Sequence, residues 1–174
     1  KVHSFVKDIS MDIRDKSKIN KIFKEEKPEI VFHLAAQALV FDSYKSPLET
    51  FEINTMGTAN ILEAIRITKS VKTAIFITTD KVYTNKEWTW PYRENERLGG
   101  YDPYSASKGC AEIVAGSYYR SYFKDCNDMG LATARAGNVI GGGDWATDRL
   151  IPDFIRALEN KSTLEIRYPN SLRP

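Results

Sequence analysis

Tyr104 and Lys108 stand four apart in this sequence, and on a helix that spacing puts them on one face, one turn from each other. Asp102 suits an N-cap and Pro103 a first helical position, so Tyr104 falls in the first turn. There the helix dipole and the Lys108 ammonium both favour phenolate over phenol. A tyrosine with a lowered pKa is a candidate general base toward a sugar hydroxyl. The bland alternative is a packed Tyr and a solvated Lys, since YxxxK recurs by chance.

A second group is Thr78-Thr79-Asp80-Lys81-Val82-Tyr83, which can offer one ligand a hydroxyl, a carboxyl group and an amine. A surface turn with an Asp–Lys pair is the plain alternative. Three weaker signals precede it: Asp12-Ile13-Arg14-Asp15, which could equally be a helix cap; Leu34-Ala35-Ala36-Gln37, small residues where a flat cofactor could approach backbone; and Asn54, followed a turn later by Gly57.

The elements that must position these residues alternate in type. Short strands are expected over 9–13, 30–36, 73–79, 131–138 and 164–167, and helices over 16–27, 47–68, 103–123 and 150–158. The run at 30–36 is continuously apolar, as for a strand covered on both faces. In the long helix, Phe51, Met56, Ala59, Leu62 and Ile65 mark the apolar side. Such alternation predicts an α/β fold, a Rossmann-like doubly wound parallel sheet with helices on both faces. Ligands of such sheets bind beyond the carboxyl ends of the strands, so the residues after Ala36, Thr79 and Asn138 are the ones to inspect.

Composition removes several classes of function. Twenty-five basic residues against 23 acidic leave a net charge of +2, and the cations are scattered, so nothing marks a nucleic-acid or anionic-membrane surface. No apolar run approaches the about 20 residues needed to span a bilayer. Cys110 and Cys126 form no CxxC and read as free thiols of a reducing compartment, the cytoplasm. His3 and His33 stand alone, and no metal site is expected. The chain opens without an initiating Met or a signal-type apolar core.

The order of the signals matters more than any one of them. An acidic turn, a small-residue strand end, a helix Asn, a strand-end Thr and a YxxxK helix come one after another as in the extended short-chain dehydrogenases. The stretches HLAAQ at 33–37, TTDK at 78–81, YRENERLGGYDPYSASKGCAE at 92–112 and ARAGNVIGGGDWATDRLIPD at 134–153 resemble the CDP-glucose 4,6-dehydratase family. Lys81 narrows the resemblance, because the related dTDP-glucose dehydratases carry Glu there, and it also speaks against a GDP-mannose dehydratase.

By that resemblance Thr79, Tyr104 and Lys108 correspond to the catalytic trio, and Asp80 and Lys81 to the pair that handles water elimination. It likewise implies NAD as cofactor, lined by Asp12, Ile13, Leu34, Ala35, Ala36, Asn54, Thr78, Tyr104 and Lys108. Gln37, Asn138, Leu150, Ile151, Arg167 and Arg173 correspond to the residues that hold the nucleotide sugar, CDP-glucose, with both arginines near base and diphosphate. The implied reaction oxidises C4, eliminates water across C5–C6 and reduces C6; the implied assembly is a homo-oligomer. The family's glycine-rich turn is absent, and Gly141–Gly143 comes too late to replace it. We therefore expect an internal fragment lacking the first βαβ segment: residues 1–140 a partial NAD-binding domain, and 141–174 the start of the sugar-nucleotide region. A nucleotide-sugar epimerase and a non-catalytic nucleotide-sensing module stay open as alternatives.

Overall fold

Asp15 opens the first helix: its carboxylate accepts from Lys18 N at 3.1 Å, satisfying one of the amides that a helix start leaves unpaired. The computed structural model describes residues 5–126 and 128–174, so His3 lies outside the described residues. In chain order the elements are α1 (Lys16–Glu26), β1 (Ile30–His33), α2 (Val40–Lys45), α3 (Pro47–Phe51), α4 (Gly57–Thr68), β2 (Thr73–Thr79), α5 (Pro103–Tyr118), β3 (Gly130–Ala136) and α6 (Leu150–Glu159). A π-helical turn, Glu52–Met56, joins α3 to α4, and another, Tyr119–Phe123, extends α5.

The three strands form a parallel sheet in the order β1-β2-β3, with Ile30 beside Thr73 and Thr73 beside Gly130. One apolar cluster packs α1, α4 and α5 onto one face of it, centred on Ile19, Leu62, Ile65, Ala74, Phe76 and Ala115. His33 belongs to that face too, buried edge-on to Phe76 with Nε2 3.1 Å from Thr58 Oγ1.

Several expectations are corrected. Residues 9–13 form no strand: a strand exists through its ladder, and no described strand pairs with this segment, whose last residue sits in a turn. The strand expected over 30–36 ends at His33, and its alternate residues Ile30 and Phe32 are 61% and 62% exposed, so only one face enters the core. Residues 164–167 are irregular. The helix over 47–68 is continuous in path but contains the π turn. The extra residue rotates the downstream turns and leaves Met56 56% exposed, where α-helical spacing put it on the apolar side. Helix α2 lies outside every expected element; it is a short helix without a side-chain cap. Among the described residues no helix is long and apolar enough to cross a membrane, and no group of three or more His, Cys, Asp or Glu could hold a metal.

Candidate active site

Thr79 is the last residue of the central strand, and the chain turns sharply there because its hydroxyl accepts from Lys81 N at 3.4 Å, opening a 3-10 turn over Asp80–Val82. The same hydroxyl donates to Asp80 Oδ1 at 3.0 Å. Opposite stands the start of α5, where Asp102 accepts from Ser105 N at 2.9 Å and from Ser105 Oγ at 2.6 Å. Gly100 is required beside this cap: a Cβ there would lie 2.1 Å from the carbonyl carbon of Ser105 and 2.3 Å from Ala106 N. The approach brings Tyr104 against Thr79, and the sequence-derived pair thus meets the strand end.

The protonation states differ from expectation. Burial raises the Tyr104 phenol above its ordinary value, Thr79 pulls it down less strongly, and the Asp80 charge raises it further. Lys108 does not offset this. Its ammonium is buried and donates to Ile77 O at 2.9 Å, and burial lowers its pKa to about 8. Desolvation outweighs the helix dipole at this depth, which is why the phenol is raised where the first-turn position alone predicts lowering. Lys81 is also held below its ordinary value, first by burial and then by the Arg173 charge, not by Lys108.

Arg173 supplies the cluster's strongest contact. Its guanidinium forks onto Asp80, with Nη2 2.9 Å and 2.8 Å from the two carboxylate oxygens and Nε 3.0 Å from Oδ2, while Nη1 donates to Asn138 Oδ1 at 2.8 Å. Bidentate pairing of this kind is the firmest hold a carboxylate can be given. Arg167 lies apart. It pairs with Asp148, approaches Asp153 at 3.6 Å and stacks over Phe41 at 5.5 Å, so the two arginines do not share one group. Leu150 and Ile151 begin α6, 54% and 41% exposed.

Other residues singled out by sequence are occupied with the protein itself. Asn54, 1% exposed in the π turn, accepts from Gln37 N at 2.9 Å and donates to Gln37 O at 3.0 Å and Ser107 Oγ at 2.9 Å. It is a joint between the loop after β1 and α5 and has no open surface. Gln37 spends its amide on Leu39 O and Thr50 Oγ1, each at 3.0 Å. Thr78 donates to Glu112 at 2.6 Å. By contrast Leu34 is 66% exposed and Ala35 is open beside it at the end of β1, with Ala36 half-buried. Asp12 is exposed and held low by hydrogen bonds from Arg14, and Ile13 packs onto Gly57, where a Cβ would lie 2.4 Å from Ile13 Cδ1.

Sequence reasoning missed Glu112 and Arg135, a pair with side chains 5% and 18% exposed that braces Thr78 from below; Arg135 also donates to Glu94 O at 2.8 Å and stacks over Tyr83 at 4.7 Å. A signal existed: Glu112 is four residues beyond Lys108 on the same helix, and Arg135 is the one charge in the strand GLATARA. Arg149, whose charge lowers the Tyr104 pKa, carried no such signal.

A parallel sheet whose central strand ends in Thr79, facing a capped Tyr–Lys helix, defines an extended short-chain dehydrogenase. The chain belongs to the family described as GDP-mannose 4,6 dehydratase, whose model matches residues 1–166. It is 55% identical over 167 residues to the CDP-glucose 4,6-dehydratase of Salmonella typhimurium, covering 94% of this chain and 46% of that protein. A double mutant of the dTDP-glucose 4,6-dehydratase from Streptomyces venezuelae, solved with NAD and DAU bound, superposes with a TM-score of 0.76 at 25% identity, over 88% of this chain and 45% of that one. The UDP-glucose 4-epimerase of Thermotoga maritima, solved with UDP-glucose, gives 0.81 at 26% identity over 91% and 50%. The chain spans about half the length of these relatives.

Proposed function

We propose that the full-length protein dehydrates CDP-glucose to CDP-4-keto-6-deoxyglucose, with NAD as its bound cofactor. The observation that carries the reading is the acid–base pair Asp80–Lys81 set directly after Thr79 and across from Tyr104. An epimerase has no use for such a pair. The substrate assignment rests on the 55% identity to a CDP-glucose enzyme.

The residues present fit a dinucleotide. Exposed Leu34 and Ala35 leave backbone open at the end of β1, the Asp12–Ile13 turn closes over Gly57, and Lys108 offers a buried amine that no carboxylate among the described residues holds. These residues would hold NAD, with Ala36 beside them and Asn54 and Thr78 acting from beneath through Gln37 and Glu112. The bound cofactor would supply the temporary oxidation of C4, which makes the C5 proton acidic, and the reduction that completes a methyl group at C6.

Tyr104 is the group placed to take the C4 hydroxyl proton, with Thr79 bonded to the same oxygen; its phenol, held up by burial, must first give up its own proton. Lys81, whose lowered pKa suits an amine that must accept a proton, takes the one at C5. Asp80 gives a proton to the C6 oxygen as the C–O bond breaks and water departs. Arg173 forks onto both Asp80 oxygens, so it must move before that carboxyl group can reach the C6 oxygen; the substrate diphosphate is the anion to draw it away. Gln37, Asn138, Leu150, Ile151 and Arg167 complete the sugar-nucleotide side of this reading, residues 141–174 begin that region, and the setting is the cytoplasm.

Incubating the full-length protein with CDP-glucose tests the proposal. The expected product has lost one water and carries a C4 ketone. Tyr104→Phe should abolish its formation while CDP-glucose still binds. With Lys81→Met, oxidation at C4 should persist and solvent deuterium should fail to enter C5. A C4 epimer as the only product would transfer the assignment to the epimerases.

A further inference from the structure

Between the turn after β2 and the start of α5 the chain makes a loop, residues 84–97, closed at its neck. Thr84 N donates to Arg97 O at 2.9 Å, Gly99 N donates to Val82 O at 2.8 Å, and Tyr83 bridges Leu98 in antiparallel fashion. Inside the neck the rings of Tyr83 and Tyr92 lie 5.1 Å apart, and Trp88 lies 5.4 Å from Tyr92. Trp90 is 73% exposed. These rings line an open cavity of about 570 Å³ whose remaining wall includes Asp80 and Arg173. Trp88 adds an indole N–H that is buried without an acceptor among the described residues.

An exposed indole beside a carboxylate and a guanidinium matches the surface of a pyranose. Aliphatic C–H faces pack on the rings, and hydroxyls pair with the charged groups. A bare aromatic wall would suit a nucleobase equally well, but Asp80 decides between the two ends of the ligand. If Asp80 delivers a proton to the C6 oxygen, the cavity that contains it receives the hexose, and the base lies farther away.

We propose that the loop at 84–97 is the hexose subsite, with Trp90 stacked on the C5–C6 edge of the sugar of a nucleoside diphosphate hexose. The assignment rests on the dehydratase reading. Elimination turns the tetrahedral C5–C6 edge into a flat alkene, and a flat indole meets the flat form more closely than the tetrahedral one. Its contribution therefore falls on turnover as well as on binding.

The test uses the full-length protein with Trp90→Ala and Trp90→Phe, and CDP-glucose and CDP as probes. Trp90→Ala should lower kcat/KM for CDP-glucose about tenfold, the size of one lost aromatic contact. Its inhibition by CDP should change less than about twofold, and Trp90→Phe should recover most of the loss. Equal weakening toward CDP and CDP-glucose would assign the wall to the base and overturn the proposal, as would an unchanged kcat/KM. Wild-type turnover is read separately. If the wild type forms no dehydrated product, the dehydratase reading falls, and tryptophan quenching by CDP-glucose compared with CDP still decides whether the hexose occupies the loop.

Discussion

Under the role proposed for it, Lys108 sets function against stability at the scale of a single residue. Its pKa is about 8 in the folded chain against 10.5 for the free group, so the folded state holds the charged form at a cost below pH 8. Stability from this residue therefore rises as pH climbs from 8 toward 10.5, by about 3 kcal/mol at full extent. Lys108→Met should raise the urea midpoint at neutral pH while removing turnover, a sign opposite to most core substitutions. His33 adds a second window. Burial first, and the Lys108 charge second, lower its pKa from 6.5 to about 4. The unfolded chain takes up this proton before the folded one, so stability falls as pH drops from 6.5 toward 4. In Lys108→Met the His33 titration, followed by NMR, should move upward, because one of its two causes has gone. The sequence made Tyr104, Lys108, Thr79 and Asp80 legible as a set. It could not reveal their protonation, because desolvation depends on depth and depth is set by elements distant in the chain.

Among the elements, the helix from Pro47 to Thr68 shows how much of a fold periodicity reveals and where it stops. Its existence, its start at Pro47 and its inner residues Leu62 and Ile65 follow from spacing alone. The π turn does not, since one inserted residue leaves the composition unchanged while rotating the face. Gly57, just past that turn, leaves the space that Ile13 fills, and the pairing is testable. Gly57→Ala should destabilise by about 1–3 kcal/mol through overpacking, and Ile13→Ala in the same chain should recover part of it. Denaturant curves for the two single variants and the double close the cycle; strict additivity would mean that the two residues do not press on each other. The strands expected at 73–79 and 131–138 are legible because their runs are short, rich in small and β-branched residues and bounded by turns, although the second ends at Ala136. Those expected at 9–13 and 164–167 do not form because a strand needs a neighbour, which no local pattern can supply.

At the scale of the whole molecule, the core lies on one face of the sheet while Ile30, Phe32 and Leu34 project from β1 into solvent. Apolar rows of this kind drive association. The 174-residue chain on its own should self-associate at micromolar concentration, and Phe32→Lys should shift sedimentation toward the monomer. It should also bind NAD weakly in a calorimetric titration, since no glycine-rich phosphate-binding turn occurs in its sequence. Micromolar affinity would mean that the residues named above suffice alone.

The Asn54 joint carries a consequence for folding as well as for the geometry of the site. Its partners Gln37 and Ser107 are 17 and 53 residues away in the chain, so its full set of hydrogen bonds closes only after β1, the long helix and α5 have all arrived. Contacts that span such distances are made late on the way to the native state. Asn54→Ala should therefore leave the refolding rate of the full-length protein nearly unchanged and speed its unfolding, a pattern that stopped-flow denaturant jumps resolve. The residue that aligns the loop after β1 with the Tyr–Lys helix would then also act as the catch that keeps the assembled site from reopening.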